Sequence, residues 1–189
     1  MAREAYDYAV TVDTRVFTAD ELLELPNDGP RYELVEGELR KMSPAGSQHG
    51  AITHRIAVRL GAFVEQHRLG QVYSSETGFV LSRNPDTVLQ PDVGYVRRER
   101  VVEDDEFVPG PPDVAFEVVS PSDRYTEVDE KKDRYLSAGT LVVVVVDPRR
   151  RKVQVYRTSG PTNVTDTLTL DDVLPGWSMP LDDIFTTAR

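Results

Sequence analysis

The chain has 189 residues, of which 39% are hydrophobic and 29% charged, and its formal net charge at pH 7 is −10. This length suits one domain with a sizeable core, and no apolar run approaches the roughly 20 residues that a membrane-spanning helix needs. The negative charge argues against loose electrostatic binding to a nucleic acid backbone unless a metal ion, a local basic patch or a partner offsets it.

Cysteine is absent, which excludes disulfides and thiolate metal sites. The first residues contain no apolar segment of the kind found in signal peptides. We therefore expect a cytoplasmic protein that binds no membrane. Residues 1–16 show no sustained pattern and are expected to form an N-terminal arm, followed by a single domain over residues 17–189.

The first predicted elements are short. Thr18 and Glu21 have the spacing of a capping box ahead of a leucine-rich segment, which predicts a short helix. In residues 31–40, two alternating runs flank Glu36 and Gly37, which predicts a hairpin.

A long helix is predicted from Ser47 to about Arg68. His49 begins its apolar face, because it lies one turn before the first of four hydrophobic residues spaced by three or four positions. These four residues are Ile52, Ile56, Leu60 and Phe63.

Strands are predicted after this helix, at about 71–75 and 77–82, and again at 90–96 with Asp92 near the start. Residues 97–112 are charged and rich in proline, which indicates a surface loop with room for one helical turn.

Residues 113–119 contain five apolar residues out of seven and read as a buried strand. Glu117 lies in the middle of this run. A buried carboxylate costs several kcal/mol in desolvation unless a cation or hydrogen-bond donors meet it. The position therefore indicates either a functional carboxylate or a buried ion pair.

The last third of the chain alternates between helix and strand. A helix is predicted at about 124–138, and five consecutive valines within 141–146 predict a strand that is buried on both faces and central in its sheet. An outer strand at 153–156, a short strand at 167–170 and a helical turn at 181–185 follow.

Asp92 and Glu117 form the candidate site, since two carboxylates at one end of neighbouring strands can share a hard divalent cation. Mg²⁺ typically takes one or two protein carboxylates and keeps several waters. The cation would activate a water molecule and neutralise developing charge, and a nearby lysine would position the water or offset negative charge.

Pro91-Asp92 followed by an acid inside an apolar strand resembles the PD-(D/E)XK nuclease superfamily. Within it, the chain resembles the bacterial Uma-type family of restriction endonucleases over roughly residues 17–187. The matching segments are Tyr32-Glu33-Leu34-Val35-Glu36-Gly37-Glu38, Ser43-Pro44, His49, Gln90-Pro91-Asp92-Val93, Phe116-Glu117-Val118-Val119-Ser120-Pro121-Ser122, Lys131, Tyr135, Gly139, Val146-Asp147-Pro148 and Leu174-Pro175-Gly176-Trp177.

This resemblance implies an α/β, restriction-endonuclease-like fold with a mixed, curved β-sheet flanked by helices. It also implies a metal-dependent endonuclease that hydrolyses DNA, with Mg²⁺ or Mn²⁺ bound by Asp92 and Glu117. A homodimer is implied as well, because cutting both strands needs two sites.

The chain departs from the superfamily at the lysine, which usually stands two residues after the acid, where this chain has Val119. In the family that it resembles, the lysine lies on the following helix, four residues before a tyrosine, which implies Lys131. Lys132 lies about 100° further round the helix. Without the resemblance, Lys131 would read as part of a solvated helix face.

The resemblance also implies an additional acid near the first long helix and a histidine in the site. Glu38 and Glu33 compete for this role, and the sequence does not decide between them; Glu38 is placed among the catalytic residues, and an exposed hairpin charge is the other interpretation of either residue. His49 is assigned to contact phosphate or position a metal-bound water, although a histidine on a helix face is commonly a packing or capping residue.

Other interpretations stay open. The fold can serve as a catalytically weak module that binds nucleic acid or protein, which Val119 and the net charge favour, or as a hydrolase of another phosphate ester. The direction of the Lys131 side chain, toward the carboxylates or toward solvent, discriminates between enzyme and module. The basic run 149–152 is predicted to be a solvated hairpin turn, with contact to DNA backbone as the alternative.

Overall fold

A computed structural model of the protein describes residues 15–26, 29–103, 105–121 and 124–186, so most of the expected N-terminal arm lies outside the described residues. The elements in chain order are α1 (Ala19–Leu23), β1 (Tyr32–Val35), β2 (Glu38–Lys41), α2 (Ser47–His67), β3 (Gly70–Ser74), β4 (Phe79–Ser82), β5 (Thr87–Leu89), β6 (Val93–Arg97), a single 3₁₀ turn (Arg98–Arg100), β7 (Val108–Pro109), β8 (Val114–Val118), α3 (Tyr125–Ala138), β9 (Val142–Asp147), β10 (Lys152–Arg157), β11 (Gly160–Val164), β12 (Thr167–Thr169), β13 (Ser178–Pro180) and α4 (Leu181–Phe185).

The described strands form two larger sheets and one two-stranded sheet. The five-stranded sheet has the order β2-β1-β5-β4-β7, and the six-stranded sheet has the order β11-β10-β9-β8-β6-β3. In the six-stranded sheet, β8 and β9 are parallel and the other neighbours are antiparallel. The expected mixed α/β fold is confirmed, with its strands divided between two larger sheets. Within the described ranges, no helix combines the length and apolar character that crossing a membrane requires.

The valine run of β9 is central in the six-stranded sheet, as its pattern predicts. Val142, Val143, Val144 and Val146 are fully buried. Helix α2 covers one face of this sheet and contributes Ile52, Ile56, Leu60 and Val64 to the core. Phe63 is only partly buried, and Val64 takes the inner position next to it.

The hairpin of β1 and β2 is the element that later brings an acid to the site. Its turn residues Glu36 and Gly37 both have positive φ, of 52° and 83°, which matches the twist of a two-residue hairpin. The inner strand β1 pairs with β5 through Leu34 and Val88, whereas β2 is the edge strand. Residues of β1 therefore face the interior, and those of β2 are mostly exposed.

Besides the two-residue β7, which lies in the expected surface loop, three strands have no counterpart in the sequence prediction. Strand β5 has only three residues, all buried, so no alternation is visible in it. Strand β11 begins with Gly160 and Pro161 and is polar and exposed, as an edge strand can be. Strand β13, like β5, has only three residues, and it is defined by its antiparallel pairing with β12. In all three, pairing with a neighbouring strand decides the structure.

The buried position of β9 has a measurable consequence. We expect Val144→Ala to lower the free energy of unfolding by about 2 kcal/mol, because it removes buried methyl groups and leaves a cavity. Val58→Ala on α2 is the matched control, since Val58 is 53% exposed, and its effect should stay within about 0.5 kcal/mol. Urea denaturation measures both, and equal losses would contradict the central placement of β9.

Candidate active site

The strands β6 and β8 place Asp92 and Glu117 side by side. Val93 pairs with Phe116 in the antiparallel register, and continuing this register sets Asp92 opposite Glu117. Directly opposed residues have Cβ atoms about 4.5–5.5 Å apart on the same face. In addition, Asp92 Oδ2 accepts a hydrogen bond from the backbone N–H of Val118 at 2.7 Å. The two carboxylates therefore lie together at one end of the sheet.

Glu117 projects away from the main core. Its neighbours Phe116 and Val118 pack in the core cluster beneath α2, and strand alternation turns Glu117 to the opposite face. On that face Ala115 packs with Tyr135 of α3. The carboxylate is thus buried, 11% exposed as a side chain, between the sheet and α3.

Helix α3 returns the side chain of Lys131 to this strand end. Its Nζ lies 3.0 Å from Glu117 Oε1 and 2.8 Å from Glu33 Oε1, and it donates a hydrogen bond to the carbonyl of Gln90 at 2.9 Å. Lys132 points elsewhere and pairs with Asp129 at 3.1 Å. The ammonium of Lys131 therefore lies among the carboxylates and not in solvent.

Glu33, and not Glu38, joins the cluster. Glu33 Oε1 accepts a hydrogen bond from the backbone N–H of Gln90 at 2.7 Å, and its side chain is only 13% exposed. Glu38 is exposed on the edge strand β2 and does not line the cleft. The placement of Glu38 in the site is thus corrected, because the inner strand of the hairpin pairs with β5 and carries Glu33 inward.

His49, in the first turns of α2, holds Asp92 from the other side. Its Nε2 lies 3.0 Å from Asp92 Oδ2, and the two side chains are 11% and 15% exposed. Together with the N–H of Val118, this contact fixes the Asp92 carboxylate. The structure therefore brings together Asp92, Glu117, Lys131, His49 and Glu33 and leaves Glu38 outside.

These groups line a cleft with a volume of about 570 Å³. The charged residues of its wall are balanced, five basic and five acidic, although the whole chain carries −10. The basic ones are Arg31, Arg40, Lys41, Lys131 and Arg134, and the acidic ones are Glu33, Asp92, Glu117, Glu127 and Glu130. The cleft is thus more favourable to an anion than the average surface of this protein.

Burial raises the pKa of Glu117 to about 8; the ammonium of Lys131 lowers it, and the charges of Asp92 and Glu33 raise it further. Desolvation lowers the pKa of Lys131, but the carboxylates of Glu117 and Glu33 more than offset this, so its pKa lies above the ordinary value. Lys131 is therefore a permanent cation at neutral pH, suited to offset negative charge.

The donors present fit a hard divalent cation. Among the described residues, no group of three or more His, Asp or Glu side chains converges on a metal position, so Asp92 and Glu117 would supply two carboxylates and water the remaining ligands. Glu117 Oε1 is buried and lies 3.0 Å from Lys131 Nζ, but it receives no well-aligned hydrogen bond from any described group.

Two further groups complete the site. Tyr135 is fully buried, and burial together with the negative charge of Glu117 raises its pKa well above the usual range. Its spacing of four residues from Lys131 sets both on one helix face. Gln90 acts through its backbone carbonyl and N–H, and no sequence signal announces such a role because every residue type carries these atoms.

Comparisons with known proteins identify the family and a similar fold. The Uma2 family model, described as "Putative restriction endonuclease", matches residues 19–182. A crystal structure of "a putative nuclease belonging to DUF820" from Anabaena variabilis ATCC 29413 superposes with a TM-score of 0.77 and 21% identity, over 89% of this chain and 97% of that chain. This likeness supports the fold. The comparison with curated proteins gave no match.

The raised pKa of Glu117 predicts a pH dependence in the metal-free protein. Its folded-state value of about 8 exceeds the ordinary 4.5, so its contribution to stability is present below about pH 4.5 and is lost as the pH rises through about 8. Glu117→Gln should remove this decline from urea-denaturation profiles, and Glu130→Gln, at an exposed glutamate of α3, should retain it. A decline that persists in Glu117→Gln would contradict the assignment.

Proposed function

Because the chain belongs to the Uma2 restriction endonuclease family, we propose that it is a metal-dependent endonuclease that hydrolyses phosphodiester bonds in DNA. The observation that carries this proposal is the position of Lys131, whose Nζ contacts Glu117 and Glu33 at the strand end that also holds Asp92. A cation among carboxylates in an open cleft is an arrangement suited to phosphoryl chemistry.

Mg²⁺ or Mn²⁺ bound by Asp92 and Glu117 would supply Lewis-acid activation of water and charge neutralisation at the phosphate. The side chains of this chain supply the rest. The Lys131 ammonium offsets negative charge that develops on the phosphate oxygens. Glu33 holds this ammonium in place, and His49 fixes the Asp92 carboxylate.

The alternative of a catalytically weak binding module depends on Val119 at the usual lysine position. The geometry favours the enzyme, because Lys131 reaches the same carboxylates from α3. Cutting both strands of a duplex needs two sites, and a homodimer of this chain would provide them.

Cleavage of supercoiled plasmid and single-stranded DNA tests the proposal. We expect cutting that requires Mg²⁺ or Mn²⁺ and stops on chelation, and a loss of at least about a hundredfold in Glu117→Gln and Lys131→Met. Lys132→Met is the matched control, since Lys132 is the next residue on α3 and pairs with Asp129 and Asp133. Cutting that survives Glu117→Gln at the full rate would rule out this site.

The two hairpin acids give a second test of the same site. Glu33→Gln should reduce cutting at least about tenfold, because the carboxylate that positions Lys131 is lost. Glu38→Gln should cut at the wild-type rate, since Glu38 is exposed on β2. The same plasmid assay measures both, and a larger effect of Glu38→Gln would reverse the assignment.

A further inference from the structure

The turn between β9 and β10 carries the densest positive charge in the sequence. We call residues 148–152 the basic turn; it contains Arg149, Arg150, Arg151 and Lys152. All four side chains are exposed. The net charge of the chain is −10, so a polyanionic ligand needs a local cluster of positive charge such as this one in order to bind.

The basic turn lies beside the cleft. Strands β8 and β9 are parallel neighbours, so both end at the same edge of the sheet, with Val118 paired to Val146. Beyond β8 the chain continues through Ser120, which lines the cleft. Arg149 Nη2 donates a hydrogen bond to the carbonyl of Pro121, the next residue, at 3.1 Å. The guanidinium of Arg149 thus sits next to the cleft wall.

Asp147 holds the backbone of the basic turn in place. This side chain is 9% exposed, and its Oδ1 accepts hydrogen bonds from the backbone N–H groups of Arg149 and Arg150 at 3.0 and 3.1 Å. Its Oδ2 accepts a 2.9 Å hydrogen bond from the hydroxyl of Tyr125, which lies at the start of α3. The turn is therefore a preorganised part of the fold.

Tyr125 also positions one of the arginines. The guanidinium carbon of Arg150 lies 4.6 Å from the centre of the Tyr125 ring, a cation–π contact. The side chain of Arg150 is nevertheless 65% exposed, and its acidic neighbour Asp147 is 3.8 Å away. Since a guanidinium carries five N–H donors, Arg150 retains donors that face outward.

Arg149 also keeps its charge exposed with respect to the described residues. Among these, its guanidinium donates to the carbonyl of Pro121, which carries no charge. By contrast, Arg151 of the same turn pairs with Asp182 at 3.4 Å. Arg149 and Arg150 are therefore the members of the basic turn that combine a fixed position with outward donors.

We propose that Arg149 and Arg150 bind the phosphodiester backbone of DNA next to the phosphate that occupies the cleft. The planar guanidinium fork matches phosphate oxygens, and the preorganised turn reduces the entropy lost on binding. This inference rests on the proposed function for the identity of the ligand, but it concerns binding outside the catalytic cluster.

Fluorescence anisotropy in chelator, with no divalent metal, tests this binding without cleavage. The probes are a labelled duplex of about 30 base pairs and the corresponding single strand, titrated at several salt concentrations. For the duplex, we expect Arg149→Ala/Arg150→Ala to reduce the slope of log affinity against log salt by about 1.8, since each phosphate contact contributes roughly 0.9. Affinity at low salt should fall at least about tenfold.

The matched control is Arg59→Ala/Arg98→Ala, which removes two positive charges from exposed arginines that do not line the cleft. It should keep the wild-type slope. Arg149→Lys/Arg150→Lys retains both charges and should keep most of the slope, which guards against a misfolded alanine variant. An unchanged slope in the alanine variant, an equal loss in the control, or no DNA binding by the wild type would overturn the inference.

The two proposals fail separately. Cutting that depends on Glu117 together with an unchanged salt slope would remove the basic turn from DNA binding and leave the nuclease site intact. A reduced salt slope without cutting under any metal would support the basic turn and count against the nuclease.

Discussion

The contact of one ammonium with the buried carboxylate of Glu117 and the half-buried carboxylate of Glu33 is the interaction on which the site depends. Lys131 meets Glu33 and Glu117 within 3.0 Å, and these three side chains come from β1, β8 and α3. An uncompensated buried charge costs several kcal/mol, so each member of the group needs the others. The ion pairs thereby join the hairpin, the six-stranded sheet and the helix at one point.

Packing around the cluster restricts how these groups can move. Tyr135 is fully buried between α3 and the sheet, and Gln90 binds Lys131 through its carbonyl and Glu33 through its N–H. On the other side of the cleft, α2 anchors its apolar face in the core and presents His49 to Asp92. The polar groups thus take their positions from the packing of α2 and α3 and from the Gln90 backbone, and they need little reorganisation when a substrate arrives.

The sequence predicts the elements that local pattern determines. The capping box of α1, the apolar face of α2, the central valine strand and the buried position of Glu117 all follow from it. Predicting Lys131 as a site residue required the family resemblance, since Val119 occupies the position at which the superfamily usually has its lysine. The choice between Glu33 and Glu38 depends on which strand of the hairpin pairs with β5, and this pairing joins segments about fifty residues apart. Local periodicity carries no information about such contacts.

The crossover from β8 through α3 to β9 places two residues of the site, Glu117 and Lys131, in one local unit of the chain. Glu117 and Lys131 belong to one continuous β-α-β unit, so their relative position is set by how the helix packs on its own two strands. With the lysine on the helix, the chain after Glu117 is free to be apolar, and Val119 instead donates its N–H to Val146. The ammonium beside Glu117 therefore comes from the helix and not from the strand, so the strand keeps its apolar pairing with β9 while α3 supplies the positive charge.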